Sequence, residues 1–310
     1  MKRIGMGILI ALMGLSFSFS FNKQKDSFNP LCLEPKTFLQ GRSQWVSYIS
    51  FTHEDKYIGW AHDDRVIKFC DANSRKEIKT LDSYYWWVPF TSLSADRELL
   101  ASIKKERTVE VWNVSSGKKV FMWTSDKGSI RSIALSPDGN TLVAGGTDTR
   151  GGSCFIMIWN IKGFMMFWNN YFDDEPETIK TKGCSINSLA FSPDGKLLAS
   201  ADHNAVVTIW NFPLRQEIYV LKGHKRWVNS VVFSPDGKLL VSASSDRTIK
   251  IWDVSSGKEI TTLRGHKLPV HHATFSPDGK GLASGITNLE RRTTIENVGP
   301  NEIITWSCEE

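Results

Sequence analysis

The sequence is poor in the arrangements from which catalytic and metal sites are built. Its five cysteines, Cys32, Cys70, Cys154, Cys184 and Cys308, show none of the close spacings of a zinc or redox site, so no metal is expected. It has no nucleophile elbow, no glycine loop to cradle a phosphate and no His-Glu metal-ligand spacing, and no cofactor is implied. The adjacent histidines His271 and His272 would point to opposite faces of a regular strand. A one-signed charge is missing too: the formal net charge is +5, Lys2 and Arg3 included, an excess too small to imply nucleic acid as a partner. With 41% hydrophobic and 23% charged residues over 310 positions, disordered and collagen-like chains are excluded and a sizeable core is within reach.

The one long apolar run lies at the start. Lys2 and Arg3 precede an almost wholly apolar Ile4 to Leu15, and Ser16 to Ser20 supplies small residues. Residues 1–20 therefore read as an export signal, placing the remainder in the periplasm or outside the cell. The alternative is a membrane anchor over residues 4–21, at the lower edge of what spans a bilayer, and that segment is the only route to a membrane. Residues 21–35 read as a short linker.

From residue 36 onward the chain repeats itself. Ser136-Pro137-Asp138-Gly139 recurs at Ser192, Ser234 and Ser276, and steps of 42 residues back from Ser136 reach the worn copies Ser94-Ala95-Asp96-Arg97 and Thr52-His53-Glu54-Asp55. A second landmark keeps pace: Trp112-Asn113, Trp159-Asn160, Trp210-Asn211 and Trp252-Asp253, with Cys70-Asp71 and Trp306-Ser307 completing six. A fixed period of this size signals units that share one core. The clearest unit predicts four strands separated by turn chemistry, over Trp227 to Phe233, Leu239 to Ser244, Thr248 to Trp252 and Glu259 to Leu263. Four antiparallel strands make one propeller blade, so the expected fold is all-β, a β-propeller of six four-stranded blades.

Gly223-His224, Ser234-Pro235-Asp236-Gly237, Asp246 and Trp252-Asp253 resemble the signature of the WD-repeat (WD40) propeller family, over residues 36–310. The resemblance implies a structural, hydrogen-bonded tetrad within a blade: His224, Ser242 or Ser244, Asp246 and Trp252. Other blades depart from it, with Asn204 in the Asp slot, Cys70 in a Trp slot, and Arg42, Tyr84, Asp126 or Lys182 in the His slot. The family more often has seven blades, so a seven-bladed relative lacking one is the alternative.

Lys36 to Leu39 aligns with the fourth strand Ile260 to Leu263, and Ile303 to Trp306 with a third strand. The N- and C-terminal strands should therefore pair and close one blade, hiding edges that invite aggregation. In that blade Cys308 and Cys32 occupy the slots of Val254 and Ser256, which puts them within disulfide reach in an oxidising compartment. Two unpaired thiols is the other reading.

Departures from the period locate decoration: extra residues are expected around Thr147 to Ser153, at Asn169 to Lys182 and around Asn288 to Pro300. The apolar stretch Phe164 to Trp168 aligns with Val120 to Trp123 as a fourth strand, which places the second insertion between that strand and the next blade. By analogy with the family, all three insertions would then lie on the face holding the tetrad His and Asp. Trp45, Trp87 and Trp227 share one slot before the first strand, and Arg42, Arg226, Arg150, Arg291 and Arg292 are candidate companions, facing acidic Asp173, Asp174, Glu175 and Glu177. Aromatics with arginines are typical interface anchors; the alternative is that these tryptophans pack down on their own blades. The expected function is a non-catalytic protein-interaction platform with a protein partner. The alternative is a propeller hydrolase or lyase with a site at the central channel.

Overall fold

In the computed structural model, which describes residues 34–41, 46–51, 57–62, 66–71, 77–82, 91–94, 99–113, 118–126, 128–148, 153–161, 175–181, 185–276, 278–286 and 301–307, every regular element is a β-strand. The strands form six four-stranded antiparallel sheets. Five keep chain order: β2–β5 (Val46–Phe51, Tyr57–His62, Val66–Asp71, Glu77–Asp82), β6–β9 (Thr91–Leu93, Leu99–Lys104, Thr108–Asn113, Lys119–Thr124), β10–β13 (Gly128–Leu135, Thr141–Asp148, Cys154–Asn160, Glu177–Thr181), β14–β17 (Ile186–Phe191, Leu197–Asp202, Val206–Asn211, Gln216–Lys222) and β18–β21 (Val228–Phe233, Leu239–Ser244, Thr248–Asp253, Lys258–Arg264). The sixth joins β22 (Val270–Phe275), β23 (Gly281–Ile286) and β24 (Asn301–Ser307) to β1 (Glu34–Gly41), with Glu34 opposite Ser307 and Gly41 opposite Asn301.

The first strand of each of these sheets is the innermost. β6 packs on β10, β10 on β14, β14 on β18, β18 on β22, and β22 on β2. The apolar cores lie between successive sheets: Val111 and Phe121 meet Ile130 and Leu142, Ile156 meets Ile186 and Leu198, Ile209 meets Val231 and Leu240, and Ile251 meets Val270 and Leu282. A sheet alone would leave such faces wet, so each is stable only against its neighbours. Each fully buried Val, Leu or Ile contributes about 1.5–3 kcal/mol relative to exposure. The third strand is covered on both faces, as Thr248 to Trp252 shows, whereas the fourth strand β21 is mostly wet.

Serines stitch the inner strands together. Innermost strands keep a free edge, and its N–H groups need acceptors. The Leu135, Leu189 and Val231 N–H groups donate to the hydroxyls of Ser92, Ser132 and Ser188 on the preceding sheet, at 2.9, 2.8 and 3.1 Å. The repeated turn is equally local in cause. In the 234–239 copy Ser234 Oγ donates to Asp236 Oδ1 and accepts from Leu239 N–H, while Gly237 takes φ +72°, open to glycine at little cost. A Cβ on Gly237 would stand 3.5 Å from Pro193, so these turns also stack from sheet to sheet.

One expected strand is misplaced. The fourth strand of the β10 sheet is Glu177–Thr181, not Phe164 to Trp168, so the second insertion precedes this strand instead of following it. Residues 162–174 lie outside the described residues. An outermost strand faces water, and a polar Glu-Thr-Ile-Lys-Thr satisfies it as well as a greasy segment. The insertion therefore belongs to a turn between third and fourth strands, at the opposite end of the sheet from the other two.

Candidate functional site

The six sheets share one polarity, which defines two faces. Starts of first strands lie together, since Asn187 Nδ2 donates to Val228 O and Asn229 Nδ2 to Val270 O, at 3.0 and 2.8 Å. Turns between second and third strands crowd that same end, because Val228 pairs with Ser244 and Ala243 with Ile249. The Ser-Pro-Asp-Gly turns mark the other face.

On the first face, His224, Ser242, Asp246 and Trp252 form one network. Trp252 Nε1–H donates to Ser242 Oγ at 2.8 Å; Ser242 Oγ lies 2.8 Å from His224 Nε2; His224 Nδ1 lies 2.8 Å from Asp246 Oδ2. Asp246 also accepts from the Lys225 and Thr248 N–H groups and the Thr248 hydroxyl. Burial opposes its ionisation, but the hydrogen bonds from His224 and Thr248 override it and hold the carboxyl far below the usual carboxylate range. Of the two candidate serines, Ser242 is the network member; Ser244 accepts from Asp246 N–H and donates to Arg226 O. Every polar atom has a use inside the blade, which suits a brace and leaves nothing free for a substrate.

The brace thins out in neighbouring blades. His266, Ser284 and Trp306 repeat three members, with Trp306 Nε1 and His266 Nε2 each 2.7 Å from Ser284 Oγ. Gly265-His266, one period after Gly223-His224, is the signal that could have found them. The β14 sheet keeps only Trp210 Nε1–H to Ser200 Oγ at 2.9 Å. There Asp202 takes over the turn, accepting from Asn204 and Val206 N–H groups, while burial raises its pKa. In the β10 sheet Ala144 fills the serine slot and the buried Trp159 Nε1 has no partner.

Of the candidate interface residues, Trp227 and Arg226 are described, and both are exposed, Trp227 by 53%. Trp45, Trp87, Arg42, Arg150, Arg291, Arg292, Cys32 and Cys308 lie outside the described residues. Trp227 reaches across to the preceding sheet. Its ring stacks on His203, in the turn between β15 and β16 of the preceding sheet, with centroids 4.3 Å apart and planes 7° from parallel. Sequence reading missed His203 because this pairing forms only between sheets. Glu177, expected opposite these residues, instead starts β13 and holds Arg215 in a two-pronged ion pair at 3.0 and 3.1 Å on the other face.

Five of the six first strands also carry a bulge, β2 at Ser47 among them, while β6 pairs without one. Pairing skips Arg131, Asn187, Asn229 and His271, so the alternation assumed for His271-His272 does not apply there. Burial depresses the pKa values of His203 and His271, the latter to about 4, with the Arg131 charge adding to the effect on His203; no carboxylate contributes to either. Among the described residues no group of acidic, His and Cys side chains is placed to hold a metal ion.

A family model described as WD domain, G-beta repeat matches residues 117–160, 176–211, 215–253 and 257–288. Its second match starts at the edge of β13, in keeping with an insertion ahead of that strand. The chain belongs to this family of WD-repeat proteins. It is 31% identical over 188 residues to eukaryotic translation initiation factor 3 subunit I of Scheffersomyces stipitis, covering 60% of this chain and 53% of that protein. Apoptotic protease-activating factor 1 of Rattus norvegicus is 28% identical over 171 residues, 55% of this chain and 12% of that protein. Small ribosomal subunit protein RACK1y of Oryza sativa subsp. japonica is 24% identical over 174 residues, 55% of this chain and 49% of that protein. The chain thus spans about half or less of the length of these relatives.

Proposed function

We propose that this protein is a non-catalytic platform for protein partners: a six-bladed propeller, closed where β1 completes the sheet of β22 to β24, that binds through the face carrying Trp227. Closure accounts for β2 lying against β22 while the chain runs on from β5 to β6. The observation that carries the binding face is Trp227 itself. A large aromatic ring, half exposed on a frame of strands and pinned by His203, is ordered without its partner and loses little entropy on binding. Two of the insertions interrupt second-to-third-strand turns on this same face, between β11 and β12 and between β23 and β24. Relatives that bear the names of an initiation-factor subunit and a ribosomal-subunit protein belong to multi-component assemblies, which fits a platform. Export through residues 1–20 is part of the proposal, and sequencing the N-terminus of protein recovered from its native compartment tests it.

Crosslinking followed by pull-down of the full chain tests the face. Trp227→Ala should lose the captured partner at an unchanged melting temperature, and Lys238→Ala, on the opposite face, should retain it. The reverse pattern would remove this face from consideration.

A further inference from the structure

The surface around Trp227 has a chemistry of its own. It spans three successive sheets: Arg131 in the bulge of β10, His203 after β15, and Trp227 ahead of β18. From the equivalent bulge, Asn187 reaches Val228 and Asn229 reaches Val270, each at the start of the next inner strand. Arg131 therefore stands over the start of β14, where Ser185 O accepts from His203 N–H at 3.2 Å and where the Arg131 charge is felt by the His203 ring. On the other side of the stack, Lys225 and Arg226 are fixed beside Trp227, since Lys225 N–H and Arg226 O bond Asp246 and Ser244. Arg247, in that same turn, is exposed.

Glu106, exposed in the turn between β7 and β8, lies near Arg131, since its O accepts from Ile130 N–H; the other carboxylates described on this face are committed. Asp246 is consumed by the brace, Asp202 by its own turn, and Asp126 and Asp148 also have partners. Arg131, Arg226, Arg247 and Lys225 are all exposed, and none of them makes an ion pair with a carboxylate among the described residues. Four exposed cations without an ion pair among the described residues thus lie on the strand and turns next to one exposed indole ring. An arginine presents a planar fork matched to a carboxylate, and an aromatic ring offers an apolar platform.

Resting on the interaction face just described, we propose that the Arg131–His203–Trp227 surface takes an acidic polypeptide segment, whose carboxylates meet Arg131 and Arg226 and whose apolar side chain lies on the open face of Trp227. A polypeptide is favoured over nucleic acid because the cations lie near a single aromatic instead of tracking a groove with successive stacking rings.

The test uses the full chain and three fluorescein-labelled probes: an acidic peptide of Glu and Asp around one Phe, the same peptide with Lys at every acidic position, and an oligouridylate. Anisotropy should show saturable binding of the acidic peptide that weakens as salt is added. Arg131→Glu and Arg226→Glu should each weaken it by about tenfold or more, as should Trp227→Ala, with melting temperatures unchanged because these side chains are exposed. No binding of the acidic peptide, equal binding of the Lys peptide, tighter binding of the oligouridylate, or indifference to both arginine reversals would each overturn the proposal. The two proposals fail separately: a native partner lost in Trp227→Ala but kept in both arginine reversals sinks the acidic-segment assignment and leaves the interaction face standing.

Discussion

Ser242 is the hinge of the intact brace, because one hydroxyl serves both the Trp252 indole and the His224 ring. Ser242→Ala should orphan two buried groups at once and destabilise by on the order of 3 kcal/mol, more than Ser244→Ala, as read from urea midpoints. The converse change is available next door. Trp159 Nε1 is buried without an acceptor, and Ala144 holds the slot that Ser200, Ser242 and Ser284 fill elsewhere. Ala144→Ser should therefore raise stability by about 1 kcal/mol, and a lowered melting temperature would show that the slot is too tight. Acid should act on His266 and His271. Burial holds each at a pKa of about 4 against 6.5 when unfolded, so between those values the unfolded chain binds more protons than the folded one. Their contribution is whole above pH 6.5 and is lost as pH falls toward 4; the melting temperature should drop across that window, and less so in His271→Gln.

At the scale of strands, charge pairs across the two outermost strands show what a blade tolerates. Lys250 on β20 holds Glu259 on β21 at 2.7 Å, and the equivalent pair in the β6 sheet has its signs exchanged, Glu110 on β8 with Lys119 on β9 at 2.6 Å. Lys250→Glu alone should cost about 2 kcal/mol or more, because Lys250 is buried, and adding Glu259→Lys should recover most of it in a double-mutant cycle. These same outer strands explain where the sequence misleads. Thr248 to Trp252 is legible because a strand covered on both faces carries apolar residues such as Ile249, Ile251 and Trp252, whereas an outer strand carries no such demand. Phe164 to Trp168 thus outbid the true strand Glu177–Thr181. The signal lay in a Glu set across from the Trp slot: Glu217 pairs with Trp210, Glu259 with Trp252, and Glu177 with Ile158, one residue before Trp159. The brace around His224 was legible through its family resemblance, since its members fall within one repeat. The Trp227–His203 stack was not, because the period says which slot a residue fills and nothing about what the neighbouring slot has become.

For the whole molecule, the sixth sheet matters most. β1 supplies its outer strand from the far end of the chain, pairing from Glu34 to Gly41 along β24. Removing residues 34–41 should leave β24 with an open edge, and the product should melt lower and self-associate in analytical ultracentrifugation. A variant that stays monomeric and equally stable would deny β1 this role.

The register of that pair has a mechanical meaning as well. Glu34 lies opposite Ser307, so the outward ends of β1 and β24 leave from the same corner. Tension applied at those two ends would open the ladder one rung at a time, like a zipper, instead of loading all its rungs together. The pairing that covers the edge of β24 is thus one that yields readily under a pull.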